Sequence, residues 1–245
     1  MSSGVSGDGG MKILCLYNND CALELFAWLE AQGHDVILCS DKLEADWCEK
    51  QGFDLAVSYT YRYILSSDIL ESLGNNVVNI HNSVLPWNRG ADPNLWSIVD
   101  NTPRGVTLHY MDASLDKGYI IAQEIIPAPF DEKNETLSTT YNELDKAAKL
   151  LFKRAFEVYK FWPSLKKQCL GVGSYHSLHD GERIKKFIKS YDTSVNDFRL
   201  RLYPPSTKKS VVATLLRFYC SLPSFYVLFF QEQSKERHSG EEFAA

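Results

Sequence analysis

The chain predicts an α/β fold, a mostly parallel sheet flanked by helices, with a smaller C-terminal appendage. Three observations carry that expectation. Between Lys12 and His81 short apolar runs alternate with helical segments, the pattern of strands joined by crossover helices. The first run, Lys12–Tyr17 (KILCLY), is almost continuously apolar, as suits a strand buried on both faces. From about Thr136 to Trp162, apolar residues recur at three- and four-residue steps, predicting one long amphipathic helix that packs across the sheet.

Taken in order, Lys12–Tyr17 is the first strand. Asp20 is placed to cap the next helix, with Leu23, Phe26, Leu29 and Ala27 on its apolar side and Gly33 at its end. Asp35–Cys39 is the second strand. Asp41 with Glu44 makes a capping-box-like start for a helix that stops before Gly52. Asp54–Ser58, a short helix at Ser66–Leu73, and the strand Val77–His81 follow. Asp92-Pro93 opens a helix with proline at its first position. Gly105–Tyr110 and Tyr119–Ile126 read as strands joined by the loop Met111–Gly118, where Gly118 permits a sharp turn. The long helix carries Leu137, Tyr141, Leu144, Ala148, Leu151, Ala155 and Val158 on its stripe and is ended by Pro163. Gly171–His176 is a turn-rich loop, and Leu178–Ile188 reads as a small strand pair or a helix.

These elements divide the chain into a Gly/Ser tail at 1–10, disordered or foreign to the natural chain, a main domain at 11–165 and a small region at 166–245. In the last, Val211–Phe230 is very apolar but contains Arg217 and Pro223. A membrane span needs about 20 predominantly apolar residues, so this segment reads as a packing or dimerisation element and no membrane role is expected.

Composition narrows the function. The 245 residues are 44% hydrophobic and 23% charged, with a formal net charge of −5, an ordinary globular balance. No basic stripe of the kind that neutralises phosphates stands out, which argues against a nucleic-acid partner. The six cysteines form no CxxC pair, so buried reduced thiols are expected rather than a zinc site or disulfide framework. The start shows no secretory signal. Together these predict a cytoplasmic location. The turn after the first strand, Tyr17-Asn18-Asn19-Asp20, has no glycine, which excludes the fingerprint of a nicotinamide-dependent oxidoreductase.

The chemistry concentrates between Val77 and Gln123. Asn79 and His81 lie two apart on a strand, so their side chains share one face at its carboxyl end, where ligands bind in open α/β sheets. The turn-rich loop Asn82–Gly90 follows, and Asp116 lies in the second loop. An amide, an imidazole and a carboxylate suit acyl transfer to an amine. Asn79 stabilises the oxyanion that develops, His81 shuttles protons, and Asp116 orients His81 and favours its charged form. No covalent intermediate is required, so no Ser or Cys nucleophile is needed. His81 alone would read as structural; Asn79 and the loop behind it make it catalytic. His109 reads as pocket support, Trp87 and Trp96 as packing residues, and Arg89 as either a loop-bracing charge or a phosphate contact. His81, His109, Asp112 and Asp116 lack compact ligand spacing, and no metal is expected.

The run Asn79-Ile80-His81-Asn82-Ser83-Val84-Leu85-Pro86, with Arg89-Gly90, Pro93, Trp96, Gly105-Val106-Thr107, His109, Asp116, Gly118, Ile120 and Gln123, resembles the folate-dependent formyltransferases. The stretches LPWNRGADPNLWSI and TPRGVTLHYMD look closest to the sugar N-formyltransferases, which act on nucleotide-linked 4-amino-4,6-dideoxy sugars. The resemblance covers roughly Met11 to His176 and implies a Rossmann-like sheet. It implies N10-formyltetrahydrofolate as formyl donor, a dTDP- or GDP-linked amino sugar as acceptor, and a homodimer in polysaccharide biosynthesis. Asn79, His81 and Asp116 match the family's catalytic trio. The loop containing Tyr63, Ile64 and Leu65, and the second containing Met111 and Ser114, match segments whose backbone contacts the pterin. Asn88, Arg89, Tyr175 and His176 fall where sugar-specific members contact the acceptor. Alternatives are a glycinamide ribonucleotide or methionyl-tRNA type of acceptor, or a non-catalytic folate-binding module. Phe198–Pro205 begins like the family's C-terminal segment, whereas Ser210–Ala245 departs from it.

Overall fold

The computed structural model describes residues 10–126, 134–165, 167–168 and 171–204. β1 (Lys12–Leu16) leads through one 3-10 turn (Asp20–Ala22) into α1 (Leu23–Ala31). β2 (Asp35–Cys39), α2 (Ala45–Gln51), β3 (Leu55–Tyr59), α3 (Ser67–Ser72) and β4 (Val77–His81) continue the alternation. β1 pairs with β2 and β3, and β3 with β4, all parallel. After β5 (Arg89–Gly90) and α4 (Pro93–Val99), β6 (Arg104–Tyr110) and β7 (Ile120–Ile126) extend the sheet antiparallel beyond β4. The six-stranded order is β2-β1-β3-β4-β6-β7, the mostly parallel α/β sheet that the sequence predicts.

Period-two alternation sorts the strands' side chains into two apolar layers. Ile13, Cys15, Val57, Val78, Ile80, Val106 and Leu108 face α1 and α5 (Leu137–Phe156) in the larger core. Leu14, Leu16, Ala56 and Val77 face α2 and α3 in the smaller one. β1 and β3 are central and buried on both faces, which is why their sequences lack polar alternation. On β4 the second face is covered by α3 only as far as Val77. Asn79 and His81, next on that face, meet loops instead of a helix.

Several local expectations are corrected. The capping residue before α1 is Asn19, whose side chain accepts from Cys21 N, and Asp20 begins the 3-10 turn. The buried face of α1 is Leu25, Phe26 and Leu29, while Ala27 is exposed. Glu44 is the N-cap of α2 but makes no side-chain capping bond. α5 starts as expected at a Thr136 cap, reinforced by Thr139 in a capping box. It ends at Phe156, not at Pro163. A 3-10 turn (Tyr159–Phe161) and the short α6 (Trp162–Leu165) follow. The cause lies in Trp162: its ring packs on Phe152 and Phe156, and its indole N–H donates to the Ala155 carbonyl at 2.8 Å. That carbonyl belongs to the helix's last turn, where carbonyls lack partners within the helix. Val158, counted on the stripe, is left exposed.

β8 (Tyr175–His176) pairs in parallel with β5 in a separate two-stranded sheet, so the turn-rich segment ends in a strand. α7 (Leu178–Lys185) takes the helical option for its segment, and α8 (Val195–Leu202) follows. Ile184, Val195 and Phe198 form a third apolar cluster with Leu95, Trp96 and Ile98 of α4 and Leu137 of α5. The compact unit runs to Leu202, and Tyr203 and Pro204 are the described residues of a second unit. The tail before Gly10 and the apolar run Val211–Phe230 lie outside the described residues.

Candidate active site

β4 and β6 bring the first groups together. Their antiparallel register sets Asn79 opposite His109 and His81 opposite Thr107, so all four side chains share the face that α3 leaves open. Asn79 Nδ2 lies 3.3 Å from His109 Nε2, and His109 Nδ1 lies 2.9 Å from the Tyr110 carbonyl. Full burial pushes the His109 pKa down to about 4, so the ring is neutral at ordinary pH. Since a carbonyl only accepts, the proton sits on Nδ1, and Nε2 accepts from the Asn79 amide. This assigns the amide's orientation and leaves its second N–H for another acceptor.

The loop from Asn82 to Asn88 closes over His81. Thr107 Oγ1 donates to Ser83 O at 2.7 Å and accepts from Leu85 N and Gln123 Nε2 at 3.2 and 2.8 Å. Gln123 also donates to Leu85 O at 3.0 Å. At the end of the loop, the Asn88 carbonyl accepts from His81 Nε2 at 2.9 Å. Asn88 itself is fully buried in the left-handed region (φ 53°). Its Nδ2 donates to Thr102 Oγ1, its Oδ1 accepts from Ser174 Oγ, and its backbone N–H donates to the same hydroxyl. The Asn88 amide is therefore occupied in fixing the carbonyl that holds His81.

Asp116 arrives from the opposite direction. β6 runs against β4, so the following loop starts beside Val77 (Met111 N donates to Val77 O at 2.8 Å) and must run back along the strand. Asp116 takes a left-handed conformation (φ 52°), which Asp tolerates better than most residues. Its Oδ2 accepts from the Gly90 N–H at 2.7 Å. Its Oδ1 faces His109 Nε2 at 3.6 Å and His81 Nδ1 at 3.9 Å. Both separations are longer than a hydrogen bond.

The two glycines bounding this arrangement are required for different reasons. Gly90 has φ 88°, and a Cβ there would come within 2.3 Å of the His176 carbonyl. Gly118 has no unusual φ. The expected sharp turn is made at Asp116, and Gly118 is needed because a Cβ would fall 1.8 Å from Tyr110 O, where the hairpin closes. Gly118→Ala is expected to force that closure apart and destabilise the fold by roughly 2–4 kcal/mol, measurable by thermal unfolding.

The remaining sequence-predicted residues occupy two flanks. On one, Arg89 and Tyr175 pair across β5 and β8, and Tyr175 is half exposed. His176 stacks on Trp96 (3.8 Å between centroids, 6° between planes) and lies 3.0 Å from Asp100 Oδ2. Burial pulls this imidazole toward its neutral form, against the opposing charge of Asp100. Its ring thus anchors β8, which in turn holds Gly90. On the other flank, Ile64 is exposed and Leu65 buried in the smaller core, just before α3. Tyr63 contacts the Tyr61 ring edge-on at 5.3 Å. A cleft of about 310 Å³ opens between α3 and the Met111–Gly118 loop, lined by Ser67, Leu70, Met111, Asp112, Ala113 and Tyr119 among others. Ser114, exposed in that loop, donates its N–H to Asp112 Oδ1 at 2.7 Å.

Sequence reasoning left His109 as pocket support and assigned nothing to Thr102; the missing signal is cross-strand register, which places His109 on Asn79. Among the described residues no cluster of His, Cys, Asp and Glu is arranged to hold a metal ion.

Residues 40–154 match the family described as formyl transferase. The solved formyltransferase PseJ from Anoxybacillus kamchatkensis, in complex with UDP-4,6-dideoxy-4-formamido-L-AltNAc and tetrahydrofolate, is 36% identical. The match covers 76% of this chain and 97% of that one, with a TM-score of 0.68. The chain belongs to the formyltransferase family. A 4-N formyltransferase from Francisella tularensis, 22% identical over 80% of this chain and 89% of that one with a TM-score of 0.61, shares the fold of this formyltransferase family member. The methionyl-tRNA formyltransferase of Listeria monocytogenes is 39% identical over 94 residues, which are 38% of this chain and 29% of that protein. The chain thus spans under a third of that curated relative's length.

Proposed function

We propose that this chain transfers the formyl group of N10-formyltetrahydrofolate to the amino group of a nucleotide-linked 4-amino-4,6-dideoxy sugar. The observation that carries the reading is the grouping of half-buried Asn79 with buried His81 and Asp116, joined through His109, on a chain that covers nearly all of a formyltransferase solved with a UDP-linked 4-formamido sugar and tetrahydrofolate. That ligand adds UDP to the dTDP and GDP expected from sequence.

The donor is read onto the loop containing Tyr63, Ile64 and Leu65 and the loop containing Met111 and Ser114; the cleft between α3 and the Met111 loop reaches the second of these but is not lined by Asn79, His81 or Asp116. When bound, the folate supplies an activated formyl group. The chain's residues then act as follows. Asn79 turns its second amide N–H toward the formyl oxygen and stabilises the negative charge that develops there. The bond from the carbonyl carbon to the acceptor nitrogen forms, and the bond to N10 breaks. With its Nε2–H held by the Asn88 carbonyl, His81 takes at Nδ1 the proton that the acceptor amine loses and gives it from Nδ1 to the departing N10. Asp116, held by Gly90, faces His81 Nδ1 and stabilises the imidazolium. Arg89 and Tyr175 are the acceptor contacts in this reading. Asn88 and His176 act behind them, on His81 and β8.

His109 is a positioning residue for Asn79. His109→Leu is expected to lower kcat about tenfold, with the donor KM nearly unchanged, because the amide loses its orienting acceptor. Equal kcat in the variant would remove that role.

The catalytic domain at 11–165, a homodimer, a cytoplasmic location and a part in polysaccharide biosynthesis belong to the same proposal. No described helix is long and apolar enough to cross a membrane. The likeness to the Listeria enzyme supports a second reading, with methionyl-tRNA as acceptor. The net charge of −5 weighs against it. The test is tetrahydrofolate release from N10-formyltetrahydrofolate with UDP-, dTDP- and GDP-linked 4-amino sugars and with methionyl-tRNA. Turnover with one sugar alone supports the first reading; turnover with the tRNA alone replaces it with the second.

A further inference from the structure

The residue after β3 carries a backbone conformation at odds with its side chain. Thr60 has φ 66°, and a β-branched residue is a genuine outlier in the left-handed region. Such strain persists only where the surroundings over-determine it, and it is found at ligand-handling sites. Both neighbours are clamped. Tyr59, 1% exposed, donates its hydroxyl to Asp145 Oδ1 at 2.8 Å, and Tyr61 donates its own to the Asp41 carbonyl at 2.6 Å.

The hydroxyl of Thr60 explains what the strain achieves. It accepts from Asn19 N at 3.1 Å and from Asn18 N at 3.4 Å, the two amides of the turn that ends β1. Asn18 answers from the other side. Its Oδ1 accepts from Arg62 N at 2.8 Å, and its Nδ2 donates to Ser40 O at 2.7 Å. The turns ending β1, β2 and β3 are thereby tied together at the carboxyl edge of the sheet. Asn18–Asn19 carries no glycine and offers its amides to Thr60, so this turn serves as a brace for the segment from Tyr61 to Leu65.

We propose that Thr60 is a positioning residue whose hydroxyl, held in a strained left-handed conformation, locks the β1 turn to the Tyr61–Leu65 loop and so presets that loop for the formyl donor. The inference rests on the reading of this loop as a donor contact. It concerns pre-organisation: a loop fixed beforehand loses less freedom when a ligand binds.

Three variants separate the hydroxyl from the strain. Thr60→Val keeps the branched shape and removes the hydroxyl. Thr60→Ser restores the hydroxyl, and Thr60→Gly removes hydroxyl and strain together. The full chain is titrated calorimetrically with 5-formyltetrahydrofolate, amide exchange is followed at Asn18, Asn19 and Arg62, and the thermal midpoint is recorded. Thr60→Val is expected to weaken binding roughly tenfold and to speed exchange at those amides, while Thr60→Ser stays within about twofold of wild type. Thr60→Gly is expected to bind as weakly as Thr60→Val while melting no lower than it, which a merely stabilising role would not produce. Wild-type affinity in Thr60→Val or Thr60→Gly overturns the positioning role and leaves the donor reading intact. Failure of the wild-type chain to bind 5-formyltetrahydrofolate overturns both.

Discussion

His81→Ala is expected to lower turnover by about 10²–10⁴-fold while the affinity for 5-formyltetrahydrofolate changes by no more than about twofold. The ring is buried and held at Nε2 by the Asn88 carbonyl, with Nδ1 turned toward Asp116. Those contacts position a proton carrier; they contribute little surface to a ligand. The loop over His81 has its own fastenings through Thr107, Gln123, Thr102 and Ser174, so the alanine variant is expected to remain folded. Stopped-flow turnover with calorimetric binding checks the split. Near-wild-type turnover removes His81 from the proton path, and lost donor binding with intact turnover reassigns it to recognition.

Asp116 permits a sharper dissection, because its two oxygens have different tasks. Oδ2 anchors on Gly90 N, and Oδ1 faces the two histidines. An asparagine in its place would tolerate the left-handed conformation as well as aspartate does and could keep the Gly90 bond through its side-chain carbonyl oxygen. Asp116→Asn is therefore expected to hold the wild-type melting temperature and lose turnover by about 10²–10³-fold, as expected when a charge acting on the transition state is removed. Asp116→Ala loses the anchor too. The Gly90 N–H is then left without its acceptor while β8 still holds β5, and both stability and acceptor KM are expected to suffer in addition to kcat. If the asparagine variant turns over normally, the carboxylate's charge has no part in the reaction.

Much of this was legible in the sequence because the parallel half of the sheet is dictated by local patterns. KILCL and LAVSY announce buried strands, DVILC forms the sheet's partly exposed edge strand, and Gly33 and Gly52, both at positive φ, mark the ends of α1 and α2. The Asn79–His81 pair was readable because a strand's period puts alternate residues on one face. What failed depended on contacts distant in sequence. Periodicity carried α5 through to Trp162, but the indole of that residue folds back on Ala155 and breaks the helix early. The resemblance implied Asn88 and His176 as acceptor contacts, and no sequence pattern signals what these side chains also touch: Thr102 and Ser174 for Asn88, and Trp96 for His176. The pairing of β8 with β5 joins segments more than eighty residues apart, and nothing in either dipeptide signals it. The strain at Thr60 is likewise invisible in the sequence, since threonine is a poor candidate for the left-handed region and only the clamps around it make the conformation hold.

The most direct test of the proposed transfer follows the formyl carbon itself. The chain is incubated with N10-[¹³C]formyltetrahydrofolate and the UDP-, dTDP- and GDP-linked 4-amino-4,6-dideoxy sugars, and ¹³C NMR locates the label, in wild type and His81→Ala side by side. Wild type is expected to place a formamide carbon on the nitrogen of one sugar, and the variant almost none. Label that stays on the folate with every sugar, in protein that binds 5-formyltetrahydrofolate, would contradict the proposed acceptor. Equal transfer by His81→Ala would contradict the mechanism.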